Sequence, residues 1–218
     1  MPLLDSEVQK QVKPLLEALP QPVTLHVFTQ QLECQYCREN HQLAEEISQL
    51  APQKVKLEVH DFVLDKEAVQ KYKIDKIPAL AVVGTQDYGV RFYGVPAGYE
   101  FTSLLSAIKL VAQGKPDLSP ASLQKLGAIT KPIHLKVFVT LTCPYCPSAV
   151  HMAHQLAVAS PLITADMIES SEFPYLTVKE QVMGVPKTVV EGLGSFEGAM
   201  PEPQFVDKVL SMVTGGGL

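Results

Sequence analysis

The sequence predicts an α/β protein in which one fold is built twice in tandem. Two Cys-x-x-Cys motifs, CQYC at 34–37 and CPYC at 143–146, have first cysteines 109 residues apart. Two prolines, Pro78 and Pro186, repeat with a separation of 108 residues. A match of a chain to itself at a fixed period is the signature of a duplicated structural unit.

The segments around each cysteine pair repeat in the same order. A β-branched and aromatic strand precedes each pair, and apolar residues at helical spacing follow it. A second strand, a short helix, two further strands and a closing helix complete each copy, and a leading helix opens it. The matched strand segments are 23–33 with 133–142, 54–62 with 162–170, and 76–83 with 184–191.

The boundary between the copies falls in QGKPDLSP (113–120), which is rich in glycine and proline. We therefore predict one domain over residues 1–115 and a second over 116–218. Ser119 and Pro120 are typical of the N-cap and first residue of a helix that opens the second copy.

Composition and charge exclude several classes of function. Hydrophobic residues make up 46% of the 218 residues, which is enough for a packed core. The net charge is −5 and no long Lys/Arg run is present, so neither nucleic acid nor an anionic membrane surface is expected as a partner. No apolar run reaches the roughly 18–20 residues of a membrane span, and the first residues lack the pattern of a signal peptide. We therefore expect a cytoplasmic protein.

All four cysteines belong to the two motifs. A disulfide across so short a segment closes almost no loop and adds little chain-entropy stabilisation. In a reducing compartment, such thiols are catalytic or metal-binding more often than structural.

The position of each motif between a strand and a helix favours redox chemistry. Orphan N–H groups and the positive end of the helix dipole stabilise a thiolate there, and thiolate is the attacking species in thiol–disulfide exchange. We predict that Cys34 and Cys143, exposed at the helix tips, are nucleophiles. Cys37 and Cys146, one turn deeper, would resolve the mixed disulfide.

The residues beside the cysteines differ between the two motifs. Pro144 and Pro147 lack an N–H and are tolerated only near a helix start, so they predict a helix that begins close to Cys143. The first motif has Gln35 and Arg38 instead. The two centres are therefore expected to differ in reduction potential.

The repeated prolines are predicted to follow cis peptide bonds, at Ile77-Pro78 and Val185-Pro186. A trans bond is the default for any single proline, but the recurrence 44 and 43 residues after the first cysteine favours the cis form here. Such a bond would turn backbone groups outward, where an extended substrate could bind as an added strand.

These motifs together resemble the thioredoxin superfamily and, within it, the two-domain protein disulfide oxidoreductases of thermophilic archaea and bacteria. The resemblance covers nearly the whole chain and includes the segment YGVRFYGVPAG (88–98). It implies two thioredoxin-like folds side by side, each a mixed four-stranded sheet flanked by helices with an extra N-terminal helix.

The resemblance also implies a function. Such proteins reduce, oxidise or isomerise protein disulfides, with electrons from a thioredoxin reductase-like donor. No cofactor is expected beyond the redox-active disulfides Cys34–Cys37 and Cys143–Cys146, and no resident metal.

One position departs from thioredoxin, which carries a buried aspartate on the strand before its active site. The matching residues here are the apolar Val27 and Val137. Glu58 and Asp166 occupy equivalent places on the next strand, so they are candidate proton-transfer acids. Solvated charges on a strand face are the alternative.

Other classes of function remain open at this point. Four thiolates could bind zinc or an iron–sulfur cluster, although zinc ribbons space their pairs by only about 15–20 residues. The chain could be a chaperone with incidental thiols, or a glutathione-linked glutaredoxin. It also resembles the electron-relay domain of the flavoenzyme that serves alkyl hydroperoxide reductase, which keeps only its second cysteine pair. The presence of both pairs here favours the free-standing oxidoreductase.

Overall fold

The computed structural model describes residues 2–215, in which the helices and strands follow one another in the predicted order. The strands are β1 Val23–Thr29, β2 Val55–Asp61, β3 Ala79–Val83, β4 Val90–Tyr93, β5 Ile133–Val139, β6 Ile163–Glu169, β7 Lys187–Val190 and β8 Gly194–Glu197. The helices are α1 Ser6–Glu17, α2 Cys37–Leu50, α3 Lys66–Lys71, α4 Glu100–Gln113, α5 Pro120–Leu126, α6 Cys146–Ala159, α7 Pro174–Lys179 and α8 Glu202–Val213. The terminal TGGGL segment lies mostly outside the described residues.

The predicted duplication is confirmed in the pairing of the strands. In the first copy β1 lies between parallel β2 and antiparallel β3, and β4 pairs antiparallel with β3. In the second copy β5 has the same relation to β6 and β7, with β8 outside β7. Each copy therefore contains the mixed four-stranded sheet of a thioredoxin-like fold.

The two sheets join into one eight-stranded sheet with the order β2-β1-β3-β4-β6-β5-β7-β8. The junction is a parallel pairing of β4 with β6, in which Val90 lies beside Ala165 and Tyr93 beside Ile168. The sequence predicted the two copies but not this shared sheet. Because β1, β4, β6 and β5 run in the same direction, their carboxyl ends meet at one edge of the sheet.

Strand alternation divides the core between the two faces of the sheet. Leu25 and Val27 of β1, with Leu135 and Val137 of β5, are fully buried on the face covered by α1, α2, α4, α5, α6 and α8. The alternate residues, such as Phe28 and Phe138, are buried on the opposite face beneath α3 and α7. Successive side chains of a strand point to opposite faces, which is why both sets can be apolar.

Local signals in the sequence account for several helix boundaries. The Ser119 side chain accepts a hydrogen bond from the Ser122 N–H, and Pro120 is the first residue of α5, as predicted. Asp5 caps α1 in the same way, by accepting hydrogen bonds from two N–H groups of the first turn. Pro14 lies inside α1, which remains a single helix.

Phe92 of β4 and Phe196 of β8 provide a matched test of the shared sheet. Phe92 is fully buried at the junction, with its ring 5.0 Å from that of His154, whereas Phe196 lies on the edge strand with 8% exposure. We expect Phe92→Ala to cost about 3–5 kcal/mol of unfolding free energy in urea, and Phe196→Ala less, because an edge strand can relax around a cavity. An equal or larger loss for Phe196→Ala would contradict the central role of the junction.

Candidate functional site

Both cysteine pairs lie at the same edge of the sheet, after the carboxyl ends of β1 and β5. Each pair forms a disulfide, with Cα–Cα distances of 5.4 Å for Cys34–Cys37 and 5.5 Å for Cys143–Cys146. Four strand spacings separate β1 from β5 in the sheet order, or about 19 Å. The four sulfurs therefore cannot converge on one metal ion, which argues against the zinc or iron–sulfur alternative.

The second cysteine of each pair begins the helix that follows. Helix α2 starts at Cys37 and α6 at Cys146, so each of these sulfurs lies at a helix N-terminus. The prediction of a helix that begins close to Cys143 was early by three residues, because Tyr145 has the N-cap position. Pro147 is the second residue of α6, where its missing N–H breaks no helical hydrogen bond.

The two centres differ in how far the first cysteine is exposed. Cys34 is half-buried, whereas Cys143 is only 8% exposed and belongs to the main core. The prediction that both first cysteines are exposed is therefore wrong for Cys143. The resolving cysteines are both buried, Cys37 at 2% and Cys146 at 0% exposure.

The Ile77-Pro78 and Val185-Pro186 peptide bonds are both cis, as predicted. The prolines immediately precede β3 and β7, which run opposite to β1 and β5, so both bonds lie at the edge that carries the cysteines. In the second domain the carbonyl oxygen of Val185 lies 3.8 Å from the Cys143 sulfur. The proposed role of these residues in binding substrate remains a prediction.

Residues of the first domain help to build the second cysteine centre. The Tyr99 N–H donates a hydrogen bond of 3.0 Å to the carbonyl of Leu141, two residues before Cys143. Gly98 has a φ of +56°, and a Cβ there would overlap the Leu141 carbonyl oxygen. The segment between β4 and α4 thus closes over the loop that holds Cys143.

The predicted acids Glu58 and Asp166 lie on the wrong face of the sheet to serve the thiols. They do occupy equivalent positions, since Glu58 pairs with His26 of β1 and Asp166 with Lys136 of β5. However, Asp166 alternates with Ala165 and Met167, which belong to the same core as Cys143 and Cys146. The structure therefore brings neither carboxylate to a cysteine pair.

Asp166 and Glu58 instead contact histidines. Asp166 is buried and lies 2.6 Å from Nε2 of His134. Burial alone would lower the pKa of His134, but the nearby carboxylates of Asp166 and Glu191 raise it overall. Glu58, more than half exposed, lies 3.4 Å from Nδ1 of His26. Sequence position alone could not reveal which face each acid occupies.

Two carboxyl groups with strongly raised pKa values lie at the edge that carries the cysteines, and the sequence analysis missed both. Glu100 is fully buried in the first turn of α4, a helix that packs against α6. Burial raises the pKa of Glu100 to about 7, and the nearby Ser103 hydroxyl partly opposes that rise. Apart from the nearby Ser103 hydroxyl, neither oxygen of Glu100 has a hydrogen-bond partner within residues 2–215.

Glu172 is the second of these carboxyl groups, and it links the two domains. Its Oε1 accepts a hydrogen bond of 2.8 Å from the Val95 N–H, while Oε2 is buried without a partner in the described part of the chain. Burial, with the negative charges of Glu169 and Glu39, raises the pKa of Glu172 to about 7. A glutamate at a helix start or in a loop carries no sequence signal that would separate it from ordinary surface acids.

Known proteins share this architecture and these motifs. A family model described as a thioredoxin domain matches residues 133–211. A solved protein disulfide oxidoreductase from Aeropyrum pernix is 28% identical, with a TM-score of 0.89 over 98% of this chain and 96% of its own. The solved N-terminal domain of the alkyl hydroperoxide reductase AhpF from Enterococcus faecalis has the same fold, at 24% identity and a TM-score of 0.86 over 94% of this chain and 99% of its own.

Curated relatives are longer proteins. The alkyl hydroperoxide reductase AhpF of Staphylococcus epidermidis is 25% identical over 95% of this chain, which corresponds to 38% of its own length. An NADH dehydrogenase of Bacillus subtilis is 30% identical over 66% of this chain and 28% of its own. The chain thus spans between about a quarter and two fifths of the length of these relatives.

The fold and the two disulfide centres define a dithiol oxidoreductase of the thioredoxin type. The thioredoxin-domain family model matches most of the second domain, and the whole chain shares the two-domain thioredoxin-like fold of the Aeropyrum pernix protein, in agreement with the resemblance found in its motifs. Within residues 2–215, no helix has both the length and the apolar character needed to cross a membrane.

The buried Glu100 carboxyl predicts a stability that falls as pH rises. Its pKa is about 7 in the folded state against 4.5 in the unfolded state. The free-energy cost of ionising this carboxyl in the folded protein is therefore absent below pH 4.5 and reaches its full size above pH 7. We expect the free energy of unfolding of Glu100→Gln, relative to that of the parent, to increase by about 2–3 kcal/mol from pH 5 to pH 8. Urea unfolding of the oxidised proteins measures this difference. The exposed Glu45→Gln should show no such trend, and a pH-independent effect of Glu100→Gln would contradict the assignment.

Gly98 provides a second test, with Gly192 as its matched control. Both glycines have positive φ, but a Cβ at Gly192 meets no atom within 4 Å. Gly98→Ala should therefore cost about 1–3 kcal/mol more than Gly192→Ala, because it adds a backbone clash to the shared conformational strain. It should also change the rate at which dithiothreitol reduces the Cys143–Cys146 disulfide, measured in a Cys34→Ser/Cys37→Ser background. Equal effects of the two substitutions on both measurements would contradict the packing role of Gly98.

Proposed function

We propose that this protein catalyses dithiol–disulfide exchange with protein substrates, through both cysteine centres. The observation that carries the proposal is the duplicated site: each domain places a disulfide at a helix N-terminus, beside a cis-proline, on one edge of a shared sheet. The structural similarity to the protein disulfide oxidoreductase of Aeropyrum pernix, which extends over nearly the whole of both chains, supports the proposal.

In the reducing direction, the thiolate of Cys143 attacks one sulfur of a substrate disulfide and forms a mixed disulfide. The other substrate sulfur leaves as a thiolate and takes up a proton. Cys146 then attacks the Cys143 sulfur, so the protein disulfide re-forms and the second substrate thiolate departs and is protonated. Two electrons and two protons reach the substrate in each cycle, and Cys34 and Cys37 perform the same steps in the first domain.

Local electrostatics favour these steps. Cys37 and Cys146 begin their helices, so the positive end of the dipole stabilises thiolate at both resolving positions. The carbonyl of Val185, 3.8 Å from the Cys143 sulfur, lies where an extended substrate backbone could pair with the chain before β7. Glu100 and Glu172, each with a pKa of about 7, are the candidates at this edge for accepting and returning a proton near neutral pH.

The electrons must come from outside the chain, since a disulfide that has formed needs two electrons before the next cycle. A flavoprotein disulfide reductase of the thioredoxin reductase class has the required chemistry. We place the reaction in the cytoplasm, where such reductases keep thiols reduced.

A second candidate function is an electron relay to a peroxidase. The specific observation in its favour is the match of the Staphylococcus epidermidis AhpF, an alkyl hydroperoxide reductase, over 95% of this chain. In that role a disulfide of a peroxidase, rather than of proteins in general, would be the substrate.

Reduction of insulin disulfides by the dithiothreitol-reduced protein tests the leading proposal. Cys34→Ser/Cys37→Ser and Cys143→Ser/Cys146→Ser should each retain part of the parental rate, because either centre can complete a cycle alone. The variant that lacks all four cysteines should fall to the background rate of dithiothreitol. Far-UV circular dichroism would establish that each variant is folded.

The outcome that opposes general protein-disulfide chemistry is equally specific. If both pairs were intact and reducible but insulin was not turned over, the proposal would fail. Reduction of a peroxiredoxin disulfide at a kcat/KM at least about a hundredfold above that for insulin would support the relay instead, since it corresponds to about 2.7 kcal/mol of transition-state preference.

A further inference from the structure

A cluster of His26, Glu58 and His60 lies on the face of the sheet opposite to the α2 and α6 helices. His26 of β1 pairs in parallel register with Glu58 of β2, and His60 follows Glu58 by two residues. The three side chains therefore share one face, since alternate strand residues point the same way. The cysteine chemistry described above makes no use of them.

The distances among the polar atoms of this cluster suit a metal ion. His26 Nδ1 lies 3.0 Å from His60 Nε2 and 3.4 Å from Glu58 Oε2, and His60 Nε2 lies 3.9 Å from the same oxygen. In a tetrahedral zinc site, ligands about 2.0–2.1 Å from the ion are about 3.3 Å from each other. The three observed distances differ from that value by about 0.1–0.6 Å, so modest side-chain shifts would match that geometry.

The neighbours of His26 hold its ring in the orientation that such a site needs. Its side chain is 6% exposed, and its second nitrogen, Nε2, lies 3.0 Å from the hydroxyl of Tyr72. Tyr72 is itself buried, and its carbonyl accepts a hydrogen bond from Nε of Arg91. A partner on the far nitrogen is the usual outer-shell arrangement for a histidine ligand, and it leaves Nδ1 directed at the cluster.

The cluster is partly open to solvent. The side chain of His60 is 16% exposed and that of Glu58 57%, whereas His26 lies beneath them. Phe28 closes the other side of His60, with ring centroids 4.9 Å apart. An ion could enter past Glu58, and a water molecule could take the fourth ligand position.

Charge limits the affinity without excluding an ion. Glu58 supplies one negative charge to the set, whereas the cations Lys71 and Arg91, which lie near the Tyr72 ring, oppose a further positive charge at His26. Two imidazoles with one carboxylate suit zinc, cobalt or nickel better than magnesium or calcium, which prefer oxygen ligands only.

The duplicated fold contains a natural comparison. The residues of the second domain that match His26, Glu58 and His60 in strand register are Lys136, Asp166 and Ile168. Lys136 forms an ion pair with Glu191, and Ile168 is buried in the apolar core beneath α7. Only one of these three residues can act as a metal ligand, so the feature is specific to the first domain.

We propose that His26, Glu58 and His60 bind one divalent transition-metal ion of the zinc class, in the first domain only. The ion would hold β1 and β2 together on the face away from the cysteines. Bound to the folded state alone, it would raise the unfolding temperature by mass action.

Isothermal titration of the fully oxidised protein with Zn²⁺ tests this site, because disulfide-bonded cysteines offer no thiolate. We expect one ion per chain, with at least about a tenfold loss of affinity in His60→Ala and in Glu58→Gln. Neither residue is deeply buried, so both variants should fold. His41→Ala, which removes a histidine of α2 outside the cluster, is the matched control and should bind as the parent does.

Two further readouts separate this site from the thiols. Co²⁺ bound to the oxidised protein should show tetrahedral d–d absorption without a thiolate charge-transfer band. The variant that lacks all four cysteines should retain both Zn²⁺ binding and the increase in unfolding temperature. Absence of binding to the oxidised protein, or equal binding by the parent, His60→Ala and Glu58→Gln, would leave the cluster as a hydrogen-bonded histidine pair and overturn the proposal.

Discussion

The parallel pairing of β4 with β6 is the interaction on which the rest of the structure depends. Two thioredoxin-like units could have been joined by a linker alone, with their sites facing in unrelated directions. Here the backbone of Val90–Tyr93 pairs with that of Ala165–Ile168, so the two sheets become one. Since β1 and β5 then run the same way, both cysteine centres lie at one edge, and the junction itself is buried between them.

That shared edge also explains why the second centre is not a self-contained unit of its own domain. The chain after β4 passes over the loop before Cys143, where the Tyr99 N–H binds the Leu141 carbonyl, and Val95 binds Glu172 of the second domain. Cys34 has more access to solvent than Cys143. Two centres of the same chemical type thus have different surroundings, which supports the expectation that they differ in reduction potential.

The two faces of the sheet carry different chemistry. One face packs against the longer helices and contains the resolving cysteines, with apolar strand residues beneath them. The other face, under the short helices α3 and α7, holds the histidines and acids of the His26 cluster and the His134–Asp166 pair, of which His26 and Asp166 are buried. On this second face the two copies keep Phe28 and Phe138 at equivalent positions but differ at others, where His26 and His60 of the first copy correspond to Lys136 and Ile168 of the second.

The sequence alone determined the order of the elements, the duplication, the cysteine centres and the two cis-prolines. The element order follows from the periods of strands and helices, and the cysteine centres follow from the Cys-x-x-Cys spacing. The duplication and the cis-prolines follow from the match of the chain to itself. Tertiary structure decided what depends on which residues become neighbours. The joining of the sheets, the burial of Cys143, the opposite-face positions of Glu58 and Asp166, and the raised pKa values of Glu100 and Glu172 all arise from contacts between segments distant in sequence. The pKa values of Glu100 and Glu172 are raised chiefly because the fold removes water from their carboxyl groups, so no motif could have revealed those two acids.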